Sequence, residues 1–151
     1  MAFGNVAFGN AYNAYKEINV KTASQGKLIV LLYDEAVKQI SSALNCFSSD
    51  GKIAARDIEK FGNHIMKAQE IVSELEVSLD MEKGGKIAEN LMSLYVFFNQ
   101  ELVSANIEKD KTKLDFVLNQ LNQLRDAWES VASSSANAPA NSVRPTLNIT
   151  G

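Results

Sequence analysis

Four stretches of the chain repeat apolar residues at steps of three and four, the spacing that lines one face of an α-helix. The clearest runs through Ala54, Ile58, Phe61, Ile65, Ala68, Val72, Leu75 and Leu79, an unbroken alternation of fours and threes. That is a heptad seam, and it predicts a helix of roughly 40 Å. Leu28, Leu31, Leu32, Ala36, Ile40, Ala43, Leu44 and Phe47 predict an earlier helix. Ile87, Leu91, Leu94, Phe98, Leu102 and Ala105 predict a third, and Leu114, Val117, Leu121, Leu124, Trp128 and Val131 a fourth.

The polar residues between these stretches mark where the helices begin and end. Thr22-Ala23-Ser24-Gln25 has the form of a capping box, with Thr22 as N-cap and Gln25 reaching back to it. Thr112-Lys113-Leu114-Asp115 repeats that form ahead of the fourth helix. Ser48 to Gly51, Gly84-Gly85 and Asn106 to Lys111 carry the breaks, with the glycine pair read as a tight turn into the third helix. Residues 22–132 hold no sustained alternation of period two, so the fold is predicted to be all-α. Short connections favour antiparallel neighbours, hence an up-down four-helix bundle over residues 22–132.

Both flanks differ from this middle. Residues 1–15 carry no charge, and Ala2-Phe3-Gly4-Asn5 returns as Ala7-Phe8-Gly9-Asn10 before Ala11-Tyr12-Asn13-Ala14-Tyr15. Gly and Asn weaken regular structure there, which predicts a flexible arm over residues 1–21 with an apolar, aromatic strip. From Ser133 the composition narrows to Ser, Ala, Asn and Pro, and both prolines lie in that stretch, so residues 133–151 are predicted to be a disordered tail.

Composition narrows the function classes. At 151 residues, with 46% hydrophobic and 22% charged, the chain suits one domain with one core. The net charge of −3 is uneven: residues 1–21 and 133–151 each carry +1, which leaves −5 on residues 22–132. An acidic middle without a basic stripe excludes a duplex nucleic-acid binder, which needs clustered Lys and Arg against phosphates. Cys46 is the only cysteine, so no intrachain disulfide forms and a reducing compartment is compatible. The longest apolar run, Leu28 to Tyr33, is too short for a membrane span or a signal segment, and a cytoplasmic location is expected.

Helical bundles also house di-iron sites, which need two Glu-x-x-His pairs and further inward carboxylates. The single histidine, His64, has Phe61 three positions before it, so even one pair is missing. No Cys-x-x-Cys-His and no phosphate-binding glycine loop occur. Asp34, Glu35, Glu74, Glu76, Glu89 and Glu101 fall mostly off the seams, where carboxylates are solvated or paired. No catalytic residue, metal or cofactor is expected. A second apolar stripe flanks two seams: Ile29, Tyr33 and Val37 on the first helix, and Ala88, Met92, Tyr95 and Val96 on the third. Either those helices are buried on two sides, or the stripe lines a groove for an incoming amphipathic helix.

Several phrases, in order, resemble one family. They are Thr22-Ala23-Ser24 with Lys27-Leu28-Ile29 and Leu32-Tyr33-Asp34, Ser78-Leu79-Asp80, Gly84-Gly85 with Ile87-Ala88 and Asn90-Leu91, Leu94-Tyr95, Ala105-Asn106, and Leu124-Arg125-Asp126-Ala127-Trp128. Over residues 12–130 they resemble the flagellar export chaperones called FliS. The resemblance implies a cytoplasmic, non-enzymatic chaperone that binds the C-terminal segment of flagellin, prevents premature polymerisation and keeps the subunit fit for export. It also implies an N-terminal cover over part of the site, matching Tyr12 and Tyr15. Other flagellar export or regulatory proteins are further candidate partners. The client-binding residues expected on this reading are Tyr12, Tyr15, Ile29, Tyr33, Met92 and Tyr95, with Arg125 and Trp128 packing near the end of the fourth helix. Gln25 and Glu35 stand where the family often has Pro and Gly. The competing reading is a bundle that self-associates through its wide apolar faces and has no export client.

Overall fold

A computed structural model describes residues 25–136, with side chains through Ser133. The predicted arm, the Thr22 cap and most of the predicted tail lie outside the described residues. Four helices follow in order: α1 (Gln25–Leu44), α2 (Ile58–Ser78), α3 (Met81–Glu108) and α4 (Lys111–Ala136), with a single 3₁₀ turn, Ala55–Asp57, leading into α2. α4 therefore continues four residues beyond the boundary expected at 132.

Each helix packs against two others. α1 lies along α2 and α4, and α3 lies along the same two, so α1 and α3 face each other across the diagonal. Neighbours run antiparallel. Phe47, just past α1, stacks edge-on against Phe61 at the start of α2, with ring centroids 5.4 Å apart. Lys113 at the start of α4 reaches Ser104 near the end of α3. Asp34 in the first half of α1 pairs with Arg125 in the second half of α4.

The seams close on one core. Phe61, Ile65, Ala68, Val72 and Leu75 of α2 meet Tyr33, Ala36, Ile40 and Ala43 of α1, Phe98, Leu102 and Ala105 of α3, and Leu114, Val117 and Leu121 of α4. The heptad reading of α2 holds in its middle and fails at its start: Ile58 is exposed, and Ala54 is in extended backbone ahead of the 3₁₀ turn. Leu31 is exposed as well. It lies about 160° around the helix from Tyr33, because two residues of helix turn through about 200°.

Two connections differ from the sequence expectation. The turn between α2 and α3 is Leu79–Asp80, where Asp80 caps α3 by accepting the backbone N–H groups of Glu82 and Lys83 at 3.1 and 2.9 Å. The glycine pair lies inside α3 and makes a kink there: Gly85 has φ 52°, ψ −130°, a backbone open to glycine and strained for other residues. At Gly84 a Cβ would stand 2.6 Å from the Ala88 Cβ. At the next connection Lys109 adopts φ 55° and closes α3. Asp110, rather than Thr112, caps α4 by accepting from Thr112 and Lys113 N–H. Asp and Thr compete for the same orphan N–H groups, and the Asp standing two residues earlier takes them; Asp115 pairs instead with Lys111 at 3.1 Å.

Candidate functional site

The second apolar stripe divides into two groups. Tyr33, Tyr95 and Ile29 have exposures of 0%, 1% and 6% and belong to the core, as does buried Ala88 to the interior. Met92 and Val37 are half-buried, and Val96 is exposed. Two-sided burial therefore accounts for most of the stripe: α1 and α3 face each other on the diagonal, so each meets both neighbours as well as the other. As placed here, Ile29, Tyr33 and Tyr95 offer no surface to a partner, and Tyr12 and Tyr15 lie outside the described residues.

Tyr33 and Tyr95 form a polar pin through this core. Their hydroxyls are hydrogen-bonded to each other, and the Trp128 side chain adds a hydrogen bond to Tyr33. Burial pushes both phenols up: Tyr33 well above its ordinary value, and Tyr95 to about 12, moderated by the hydrogen bond with Tyr33. These groups stay neutral and structural over the physiological range. On the surface above them, Arg125 Nε bonds Asp34 Oδ1 at 2.6 Å, with Asp126 and Glu129 at 3.3 and 3.6 Å. Arg125 and Trp128 thus fasten α4 to α1.

A second polar chain links α1 to α2. His64 Nδ1 lies 2.8 Å from Gln39 Oε1, and Gln39 Nε2 donates to Glu35 at 2.8 Å. Desolvation lowers the His64 pKa, helped by Lys67 and Lys60. Cys46 is buried with its thiol directed at the Ser42 carbonyl, 3.6 Å away, and burial raises its pKa. Neither arrangement joins a base to a nucleophile. Among the described residues no cluster of three or more His, Cys, Asp or Glu could hold a metal ion, and no helix is long and apolar enough to cross a membrane.

The surface that stands out lies between α2 and α3. Asn99 Nδ2 bonds Ser73 Oγ and Glu76 Oε2 at 3.3 and 3.4 Å, and Asn106 lies beside Gly62. These contacts fix the register of the two helices. Residues three or four away share a helix face, so Met66 and Val77 of α2 come alongside Val96 and Val103 of α3, with Met92 and Ile107 at either end. All but half-buried Met92 are exposed, Val77 at 78% and Ile107 at 75%. The groove floor is polar, with the Asn99 carbonyl oxygen buried and unpaired and burial raising the Glu76 carboxyl against the opposing Asn99 bond.

Of the four expected residues that are described, Ile29, Tyr33, Met92 and Tyr95, Met92 falls in this groove. Sequence reasoning passed over Met66, Val77, Val103 and Ile107, whose signal was apolar residues placed off the seam. A groove of flexible methionines and valines suits an apolar helix, since Met adapts its shape at little cost. It offers contact and no chemistry.

Comparison with known proteins fits this geometry. The family model for Flagellar protein FliS matches residues 8–135. A flagellar secretion chaperone FliS of Bacillus subtilis is 30% identical over 129 residues, 85% of this chain and 91% of its own length. That of Campylobacter jejuni is 34% identical over 123 residues, 80% of this chain and 90% of its own. That of Salmonella typhimurium is 32% identical over 124 residues, 79% and 87% respectively.

Proposed function

The chain belongs to the FliS family of flagellar secretion chaperones, and from that membership we propose that it binds the C-terminal segment of flagellin, masks it from premature polymerisation and keeps it fit for export. The carrying observation is the α2/α3 groove, an exposed apolar strip on a bundle whose core is already filled. A filled core has nothing to gain from such a strip, whereas an amphipathic client helix has an apolar face to bury. The mechanism is stoichiometric masking, without catalysis, in the cytoplasm.

On this reading Met92 touches the client directly. Ile29, Tyr33 and Tyr95 act from behind, by fixing the spacing of α1 and α3. Tyr12 and Tyr15 cover part of the site until the client displaces them. Burying two tyrosines stabilises by a few kcal/mol at about 25 cal/mol per Å², and ordering their backbone costs about 1–2 kcal/mol per residue. The balance is near zero, which is what a displaceable cover requires.

Calorimetry of the whole chain against the C-terminal segment of its own organism's flagellin tests the assignment. One-to-one binding at micromolar concentration is expected. A folded protein that gives no heat, or a stable self-associated species indifferent to flagellin, would rule it out.

A further inference from the structure

A second exposed apolar site lies on the other side of α3, facing α4. The Phe97 and Phe116 rings meet edge to face at 6.0 Å between centroids, yet each remains exposed, at 40% and 43%. Charge is sparse around them: Asn90 to Ile107 contains only Glu101, one turn past Phe97, and Phe116 to Leu124 contains none, with Lys113 and Asp115 just ahead of it. The α2/α3 groove differs in that its apolar residues, Met66, Val77, Met92, Val96, Val103 and Ile107, include no aromatic ring. An uncharged aromatic segment would add ring contacts at the Phe97 face.

The chain carries such a segment. Residues 1–15 are uncharged and hold the doubled phrase Ala-Phe-Gly-Asn. The family match begins at residue 8, so the first copy lies ahead of it, and the cover proposed for Tyr12 and Tyr15 leaves Phe3 and Phe8 without a role. We propose that Phe3 or Phe8 docks on the Phe97–Phe116 face of the same molecule, as alternative occupants of one site. Gly4 and Gly9 let the backbone approach the rings, and Asn5 and Asn10 meet the amide-rich surface of Asn119, Gln120 and Gln123.

Reach permits it. α1 and α3 run the same way and meet at the Tyr33–Tyr95 pair. Gln25 therefore stands about 15 Å along the bundle axis from Phe97 at 1.5 Å per residue, and the path around the surface is about 30 Å with helices 8–10 Å apart. The 17 residues from Phe8 to Gln25 extend to about 56 Å at 3.3 Å each. A tethered segment competes at an effective concentration near the millimolar range, so a weak contact suffices.

Paramagnetic relaxation tests the proposal on the full chain, with Cys46→Ser and a spin label on Val6→Cys. Loss of amide signal is expected at residues 96–100 and 115–119. Phe3→Ala or Phe8→Ala alone should reduce it by about half, the statistical factor for two equivalent occupants. Phe3→Ala with Phe8→Ala, or Phe97→Asn with Phe116→Asn, should abolish it while the rest of the spectrum is unchanged. Broadening centred on Met66, Val77 and Val103, or none at all, would overturn the proposal. So would broadening that survives the Phe97→Asn, Phe116→Asn change. Transfer of the effect from a labelled chain to an unlabelled one in a mixture would place the segment on a second copy and overturn it equally.

Discussion

The Tyr33 and Tyr95 hydroxyls are hydrogen-bonded to each other across the diagonal of the bundle, joining two helices that are not neighbours. Removing the Tyr33 hydroxyl leaves that of Tyr95 buried and unpaired, which costs about 1–3 kcal/mol, whereas removing the Tyr95 hydroxyl leaves Tyr33 its bond to Trp128. In urea unfolding Tyr33→Phe is expected to lose about that much stability, Tyr95→Phe less, and the double variant less than the sum of the two. Strict additivity in a double-mutant cycle would show that the pair is not coupled.

The same pair makes stability sensitive to alkali. Both phenols titrate above their ordinary value in the fold, Tyr95 at about 12, while the unfolded chain releases these protons near 10. The stabilisation is therefore complete below pH ~10 and is lost as pH rises toward the folded value. Melting temperature should fall through that window, and the Tyr33→Phe, Tyr95→Phe double variant should fall less steeply.

His64 gives the opposite limb. Its folded pKa is lowered, first by desolvation and then by Lys67 and Lys60, so its contribution is present above the unfolded value near 6.5 and declines as pH falls through the folded one. An NMR titration should place its midpoint below 6.5, and His64→Gln should flatten the acid side of the stability profile. A midpoint above 6.5 would contradict the packing of His64 against Gln39.

Among the described residues Arg125 makes the most ion pairs, but its side chain is 32% exposed and that of Asp34 44%. Solvent screening limits pairs of this kind to about 0–1 kcal/mol. Arg125→Ala is expected to cost no more than about 1 kcal/mol, with the loss shrinking in molar salt. Its role is to set how α4 lies on α1 beside Trp128.

Helix number and type were legible because burial imposes period: Phe61, Ile65, Ala68, Val72 and Leu75 are where the seam put them, each with 0% exposure. Phase was not legible in Leu28 to Tyr33, where six consecutive apolar residues give no angular preference, and so Leu31 was placed inward. Caps were ambiguous because Asp110 and Thr112 offer the same chemistry two residues apart. The groove was hidden for another reason. Met66 and Val103 each stand one position past a seam residue, Ile65 and Leu102, and Val77 and Ile107 stand between polar residues; only the packing of α2 on α3 gathers them.

That gathering gives the sharpest test of the site. Val103 is exposed, so a carboxylate there stays solvated, and Val103→Asp should change stability by no more than about 0.5 kcal/mol, as surface changes usually do. Against a bound apolar helix the same carboxylate must be desolvated without a partner, which costs several kcal/mol. Flagellin binding is therefore expected to weaken at least about tenfold, equivalent to 1.4 kcal/mol, at unchanged melting temperature. Val103→Met, which keeps an apolar contact, should bind within about threefold of the parent. If Val103→Asp binds flagellin as the parent does, the client lies elsewhere on the bundle.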